Sequence, residues 1–282
     1  MNAPDPSRIQ SLLDGAEQVA TLPTIYTEIN AAVEDPETTF SEIGNIISKD
    51  PSLCARLLKI VNSPFYGFSS EIETVSHAIA VIGSAQLRDL VLATTVMDRF
   101  RGIPKQLVDL HSFWLHSIGC GLTARILATY CRQANAERFY TLGILHDLGR
   151  LVMLISAPEE MKQAMKLSQE GPRPLVECER DVLGCDHGEV GFRLLDQWNL
   201  SSAFQLAIRY CHHPSRNPGL ESTLLHVSDV VVHGLAIGSS GDAYVPQFDS
   251  RAWSRLDLTA AHISQVVDQL DRQLDEFVAL VL

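Results

Sequence analysis

Helix-ending signals recur along this chain at short intervals, while the period-two alternation of half-buried strands is nearly absent. That pattern restricts the chain to an all-α fold. Thr39-x-x-Glu42 has the form of a capping box, in which side chain and backbone satisfy each other's free donors at a helix start. Asp50-Pro51 sets a capping carboxylate before a proline at the first helical position, and Leu53, Leu57, Leu58 and Val61 follow on one face. Asn62-Ser63-Pro64-Phe65-Tyr66-Gly67 then stops that helix. Thr74 to Ile82 reads as another helix, ended by Gly83, and Ser84 is placed to cap a further one running to about Phe100.

Gly102-Ile103-Pro104 breaks the pattern and marks an expected boundary. It divides a first helical half, residues 1–104, from a second, residues 105–250, with a C-terminal amphipathic segment over 251–282. In the second half, helices are expected at about 107–131, 136–147, 158–170, 174–184, 187–198, 202–212 and 220–237, with a loop at Gly238-Ser-Ser-Gly-Asp. From Thr259, the residues Ile263, Val267, Leu270, Leu274, Phe277 and Val281 form an apolar stripe. The stripe either packs on its own domain or pairs with a partner helix, which would make the protein a homodimer.

Lysine and arginine number 22 against 34 acidic residues, a net charge of −12. A surface of that sign opposes binding along a nucleic-acid backbone. No window approaches 18 uninterrupted apolar residues, and Met1-Asn2-Ala3-Pro4-Asp5-Pro6 has no basic-then-apolar leader pattern, so no membrane span is expected and a cytoplasmic location is. The six cysteines (54, 120, 131, 178, 185 and 211) include no Cys-x-x-Cys pair and read as small buried apolar residues in a reducing compartment.

Against this background stand His116, His146, Asp147, His187, His212, His213 and Asp229. Imidazole and carboxylate suit borderline and hard divalent ions such as Fe, Mn or Zn, so the set suggests a mono- or dinuclear pocket. His146-Asp147 lies in the apolar run Leu142 to Gly149, at a place where a helix must end. A regular helix would splay these neighbours by about 100°, and a terminus lets both aim at one point. Asp186 reads as an N-cap with His187 in the first turn behind it, and Pro214 stops the segment ending in His212 and His213. Asp229 falls mid-helix in an apolar setting, where a carboxylate must find an ion or a hydrogen-bond network. Both remain open: a metal pocket, or a metal-free network in which carboxylates support imidazolium. His226 and His233 flank Asp229 at helical spacing.

In order and context these residues resemble the HDOD domain, a branch of the HD superfamily. The resemblance rests on Leu22-Pro23, Lys49-Asp50-Pro51, Leu57 to Tyr66, Ala78 to Gly83, Phe113 to Ser117, Gly143 to Gly149, Asp186 to Gly191 and His212-His213-Pro214, spanning about residues 18–235. It implies a bacterial signal-output module, all-helical, acting through a signalling protein partner or a nucleotide such as a cyclic dinucleotide. The HD superfamily also implies metal-dependent phosphohydrolysis. In that alternative His116, His146, Asp147 and Asp229 hold one metal, and His187, His212 and His213 hold or border a second. The chain departs from the branch of the superfamily that hydrolyses cyclic di-GMP: Pro-Ser-Arg-Asn-Pro follows His212-His213 with no Gly-Tyr-Pro, and Ser112 stands where a further carboxylate ligand would be wanted. Hydrolysis would also need a cation for the phosphate, for which Arg150, Arg193 and Arg209 are the candidates nearest in sequence.

Overall fold

A computed structural model describes residues 5–100, 103, 108–171, 173–217 and 219–282. These residues form helices and connecting turns, with no strand among them. The helices are α1 (Pro6–Gly15), α2 (Thr24–Glu34), α3 (Phe40–Ile47), α4 (Pro51–Val61), α5 (Val75–Ile82), α6 (Ser84–Arg99), α7 (Leu110–Tyr130), α8 (Glu137–Leu145), α9 (Leu148–Ser156), α10 (Pro158–Glu170), α11 (Leu175–Leu183), α12 (His187–Gln197), α13 (Ser202–Arg209), α14 (Leu220–Gly234), α15 (Ser250–Trp253) and α16 (Ala260–Val281).

Local chemistry sets most of these boundaries. Thr39 and Glu42 form the expected capping box, and Asp186 with Glu189 forms a second at the start of α12. Asp50 accepts from the backbone N–H groups of Ser52 and Leu53 ahead of α4, and Thr74 accepts from that of His77. Ser84 does not cap α6. Gly83, at a φ of 93°, serves both as the C-cap of α5 and as the N-cap of α6. The helix expected to reach residue 212 ends at Arg209, leaving His212 in a turn. Helices α1, α2 and α9 arise where no helix was expected. The boundary at Gly102-Ile103-Pro104 falls mostly outside the described residues.

Apolar side chains from Ile9 to Val281 form one continuous core that both halves share. Helix α7 runs through it, against α8, α14 and α16, while α1 packs on α9 and α12. Phe277 of α16 meets Phe65 at 4.9 Å and Tyr140 at 5.2 Å between ring centroids, so the C-terminal stripe lies on the chain's own core. The stretch Glu137–Ser156 has the length and hydropathy of a membrane span, but 89% of it is buried in the bundle.

Two helix crossings depend on glycine. A Cβ on Gly143 of α8 would lie 2.3 Å from the Gly121 Cα of α7, and one on Gly149 of α9 would lie 2.0 Å from the His187 carbonyl oxygen. Backbone therefore touches backbone at both places. The contacts draw α7, α8, α9 and α12 together at the break between α8 and α9.

Candidate metal centre

That break carries His146 as the C-cap of α8 and Asp147 as the N-cap of α9. Asp147 leaves helical geometry (φ −101°, ψ 7°), and this lets neighbouring side chains meet. His146 Nε2 lies 3.1 Å from Asp147 Oδ2. His116, projecting from α7, places Nε2 3.2 Å from Asp229 Oδ1 and 3.9 Å from Asp147 Oδ2. His187 Nε2 lies 3.3 Å from Asp147 Oδ1 and 2.8 Å from His212 Nε2. His212 Nδ1 returns to Asp229 Oδ2 at 3.8 Å. Six of the seven residues singled out from the sequence thus converge on one point, with Asp147 between two groups of imidazoles. His213 turns elsewhere, its Nε2 facing Arg180 at 3.3 Å.

Other groups join the centre, of which the sequence marked only His226 and His233, by their helical spacing from Asp229. Cys120 stands one turn beyond His116 on α7, its Sγ 3.5 Å from His116 Nε2 and 4.0 Å from Asp229 Oδ1. His233, one turn beyond Asp229, puts Nδ1 2.9 Å from Asp229 Oδ1. Both spacings are i, i+4, which stacks side chains on one helix face; that spacing marked His233 in the sequence and could have flagged Cys120. Glu179 gave no signal at all. It accepts from His187 Nδ1 at 2.6 Å and from the His187 backbone at 3.1 Å. His226 is a strut: its Nδ1 donates to the Cys211 carbonyl at 2.8 Å, and its Nε2 accepts from the Asp249 N–H at 3.0 Å.

Arg150 is wholly buried in this centre. Its guanidinium donates to Glu179 at 2.8 Å, to Ser240 Oγ at 2.6 Å, to Asp242 at 3.2 Å and to Asp147 at 3.4 Å, and lies 2.9 Å from His187 Nδ1. Of the other arginine candidates, Arg193 pairs with Asp196 at an exposed position and Arg209 lies over the Phe192 ring.

Burial and charge work against each other here. Burial favours a neutral Asp147, but the Arg150 guanidinium and His146 hold its carboxyl well below the usual range. Asp229 is likewise held well below against burial, by His233 and His116. Glu179 stays ionised down to about 2, since His187 and Arg150 outweigh its desolvation. Burial lowers His116, and burial with His187 lowers His212 strongly. His146 goes up because Asp147 outweighs its burial. His233 rises to about 9, its burial outweighed by Asp229.

The donor chemistry fits a divalent ion. His146 Nδ1 donates to the Gly143 carbonyl at 2.7 Å, so a neutral ring presents a lone pair at Nε2 towards two carboxylates. A lone pair facing carboxylates needs a second proton or a cation between them. His146 Nε2, Asp147 Oδ1 and Asp229 Oδ2 are all buried without a hydrogen-bond partner. Donor atoms of His116, Cys120, His146 and Asp229 lie within 4.8 Å of one another, and so do those of His187, Cys211 and His212.

The HDOD domain model matches residues 19–214. The chain belongs to the HDOD family. An uncharacterised protein of Treponema pallidum (strain Nichols) is 29% identical over 212 residues, 74% of this chain and 40% of that protein. The chain therefore spans well under half of that relative. A crystal structure of an HDOD domain protein of unknown function from Geobacter sulfurreducens superposes with a TM-score of 0.78 at 23% identity, covering 98% of this chain and 96% of the other. A Shewanella amazonensis SB2B protein provisionally named a phosphohydrolase gives 0.72 at 22% identity, covering 96% and 98%. At these identities the likeness establishes the all-α HDOD fold.

Proposed function

We propose that this HDOD protein is a signalling module that works by binding a protein partner, with its His/Asp centre serving as internal structure. The state of Arg150 carries the reading. Phosphoryl transfer needs cations free to meet developing charge. Arg150 is the arginine placed in the centre, and its donors are already committed to Glu179, Asp242, Ser240 and Asp147. Next to the centre, a surface cavity of about 330 Å³ is bordered by His212, His213, Glu177, Asp242, Asp249 and Arg251 among others. Three carboxylates against one guanidinium form an unfavourable mouth for a phosphodiester. The net charge of −12 acts in the same direction.

A second reading, metal-dependent hydrolysis of a nucleotide or cyclic dinucleotide, is favoured by Asp147 standing between two imidazole groups. A divalent ion held by His116, His146 and Asp229 would supply Lewis-acid chemistry there. The protein's own contribution would be to fix the imidazole tautomers through Gly143 and Glu179 and to keep bulk water out. Purified protein supplied with manganese or iron and a cyclic dinucleotide decides between the two. No turnover is expected; turnover abolished by Asp147→Ala would sink the signalling reading.

A further inference from the structure

Cys120 lies at 0% exposure within the centre, and its thiol has no apolar reason to face two imidazoles and a carboxylate. Tetrahedral bonds of about 2.0–2.3 Å, the usual range for zinc to nitrogen, oxygen and sulfur, place the ligand atoms about 3.3–3.8 Å from one another. Four of the six separations are 3.5 Å for Cys120 Sγ to His116 Nε2, 3.2 Å for His116 Nε2 to Asp229 Oδ1, and 4.0 Å both for Cys120 Sγ to Asp229 Oδ1 and for His146 Nε2 to Asp229 Oδ1. All four donor atoms lie within 4.8 Å of one another, so inward movement of the side chains would close that polyhedron around one ion.

We infer that Cys120 is a metal ligand, completing with His116, His146 and Asp229 a closed four-ligand site of zinc type. Asp147, the carboxylate expected in this set, borders the same site, its Oδ2 3.1 Å from His146 Nε2 and 3.9 Å from His116 Nε2, and it also meets His187 and Arg150. A thiolate in the set shifts preference from manganese towards zinc and its cobalt surrogate. On binding, the thiol proton leaves to solvent and the sulfur takes the coordinate bond. Four protein ligands leave no open position for substrate or water, the arrangement of structural zinc sites. This inference deepens the reading of the centre as structural and rests on it for that consequence alone.

Cobalt(II) added to the chelator-treated 282-residue chain tests the ligation by itself. The expected spectrum has a thiolate-to-cobalt charge-transfer band in the near ultraviolet and intense visible bands of a tetrahedral ion. Cys120→Ser and Cys120→Ala should both lose the charge-transfer band and weaken cobalt binding at least about tenfold. Cys211→Ser, which alters the neighbouring group, should keep the band. Circular dichroism melts show whether each variant is folded, and using two Cys120 variants guards against one failing to fold. No cobalt binding, a spectrum without the sulfur band, or a band lost in Cys211→Ser but retained in the Cys120 variants overturns the assignment. Turnover with a nucleotide would overturn the signalling reading and leave the ligation of Cys120, read from the cobalt bands, intact.

Discussion

The Arg150 guanidinium donates to the Glu179 carboxylate across 2.8 Å with neither side chain reaching solvent. Removing one member of such a pair leaves an uncompensated charge inside the protein, which typically costs about 3–5 kcal/mol. Arg150→Met is therefore expected to lower stability by about that amount, because Asp147, Glu179 and Asp242 lose their common cation. Arg150→Lys should restore only part of it, since an ammonium lacks the planar fork. Urea unfolding measures both. A loss under about 1 kcal/mol for Arg150→Met would show that water or another cation reaches the cluster.

Glu179 also fixes a pH dependence. Its carboxyl titrates near 2 in the folded chain against an ordinary value of 4.5, so protonation disfavours the folded state. The stabilisation is complete above about 4.5 and disappears as pH falls towards about 2. Glu179→Gln should be less stable at neutral pH and lose less on acidification across that window. Chemical unfolding of chelator-treated protein at stepped pH checks this, and parallel curves for the two proteins would refute it.

Gly149→Ala should act on the centre from outside it. The added methyl would meet the His187 carbonyl at 2.0 Å and the Gly191 N–H at 2.6 Å, and backbone cannot rotate away as a side chain can. Helix α12 must move off α9, carrying His187 from Asp147. The expected cost is about 1–3 kcal/mol or more, with metal content or cobalt spectrum altered as well. Gly234→Ala, with open space around its Cβ position, is the control and should leave both unchanged.

Part of this centre was legible in the sequence because His146, Asp147, His187 and His212 sit at helix ends. Asp186, Gly149 and Pro214 announce where α12 begins, where the His146-Asp147 break lies and where the turn after α13 stops. Cys120 and Glu179 sit inside regular helices, where an isolated polar residue looks the same whether it faces solvent or a buried ion. The partners of Arg150 were hidden for a similar reason: it stands one turn after Asp147, and the loop carboxylate and hydroxyl that bind it, Asp242 and Ser240, come about 90 residues later. Helix α1 opens at Asp5-Pro6 with the same capping signal as Asp50-Pro51 and could have been read from it, whereas α2 has no side-chain cap and rests on α3 and α6.

The C-terminal helix supplies the last prediction. Its stripe could have served a partner copy, but Phe277 is buried against Phe65 and Tyr140, Gln269 donates to the Tyr130 hydroxyl at 2.9 Å, and Val266, Leu270 and Val281 are buried on the same side. Phe277→Ala should cost about 3–5 kcal/mol, the range for truncating a buried aromatic. Deleting residues 259–282 uncovers α4 and α7 together, so the product should be insoluble or unfold without a cooperative transition. Sedimentation and a thermal melt decide the matter. A soluble, cooperatively folding product with half the parent's apparent mass would mean that the stripe joins two copies.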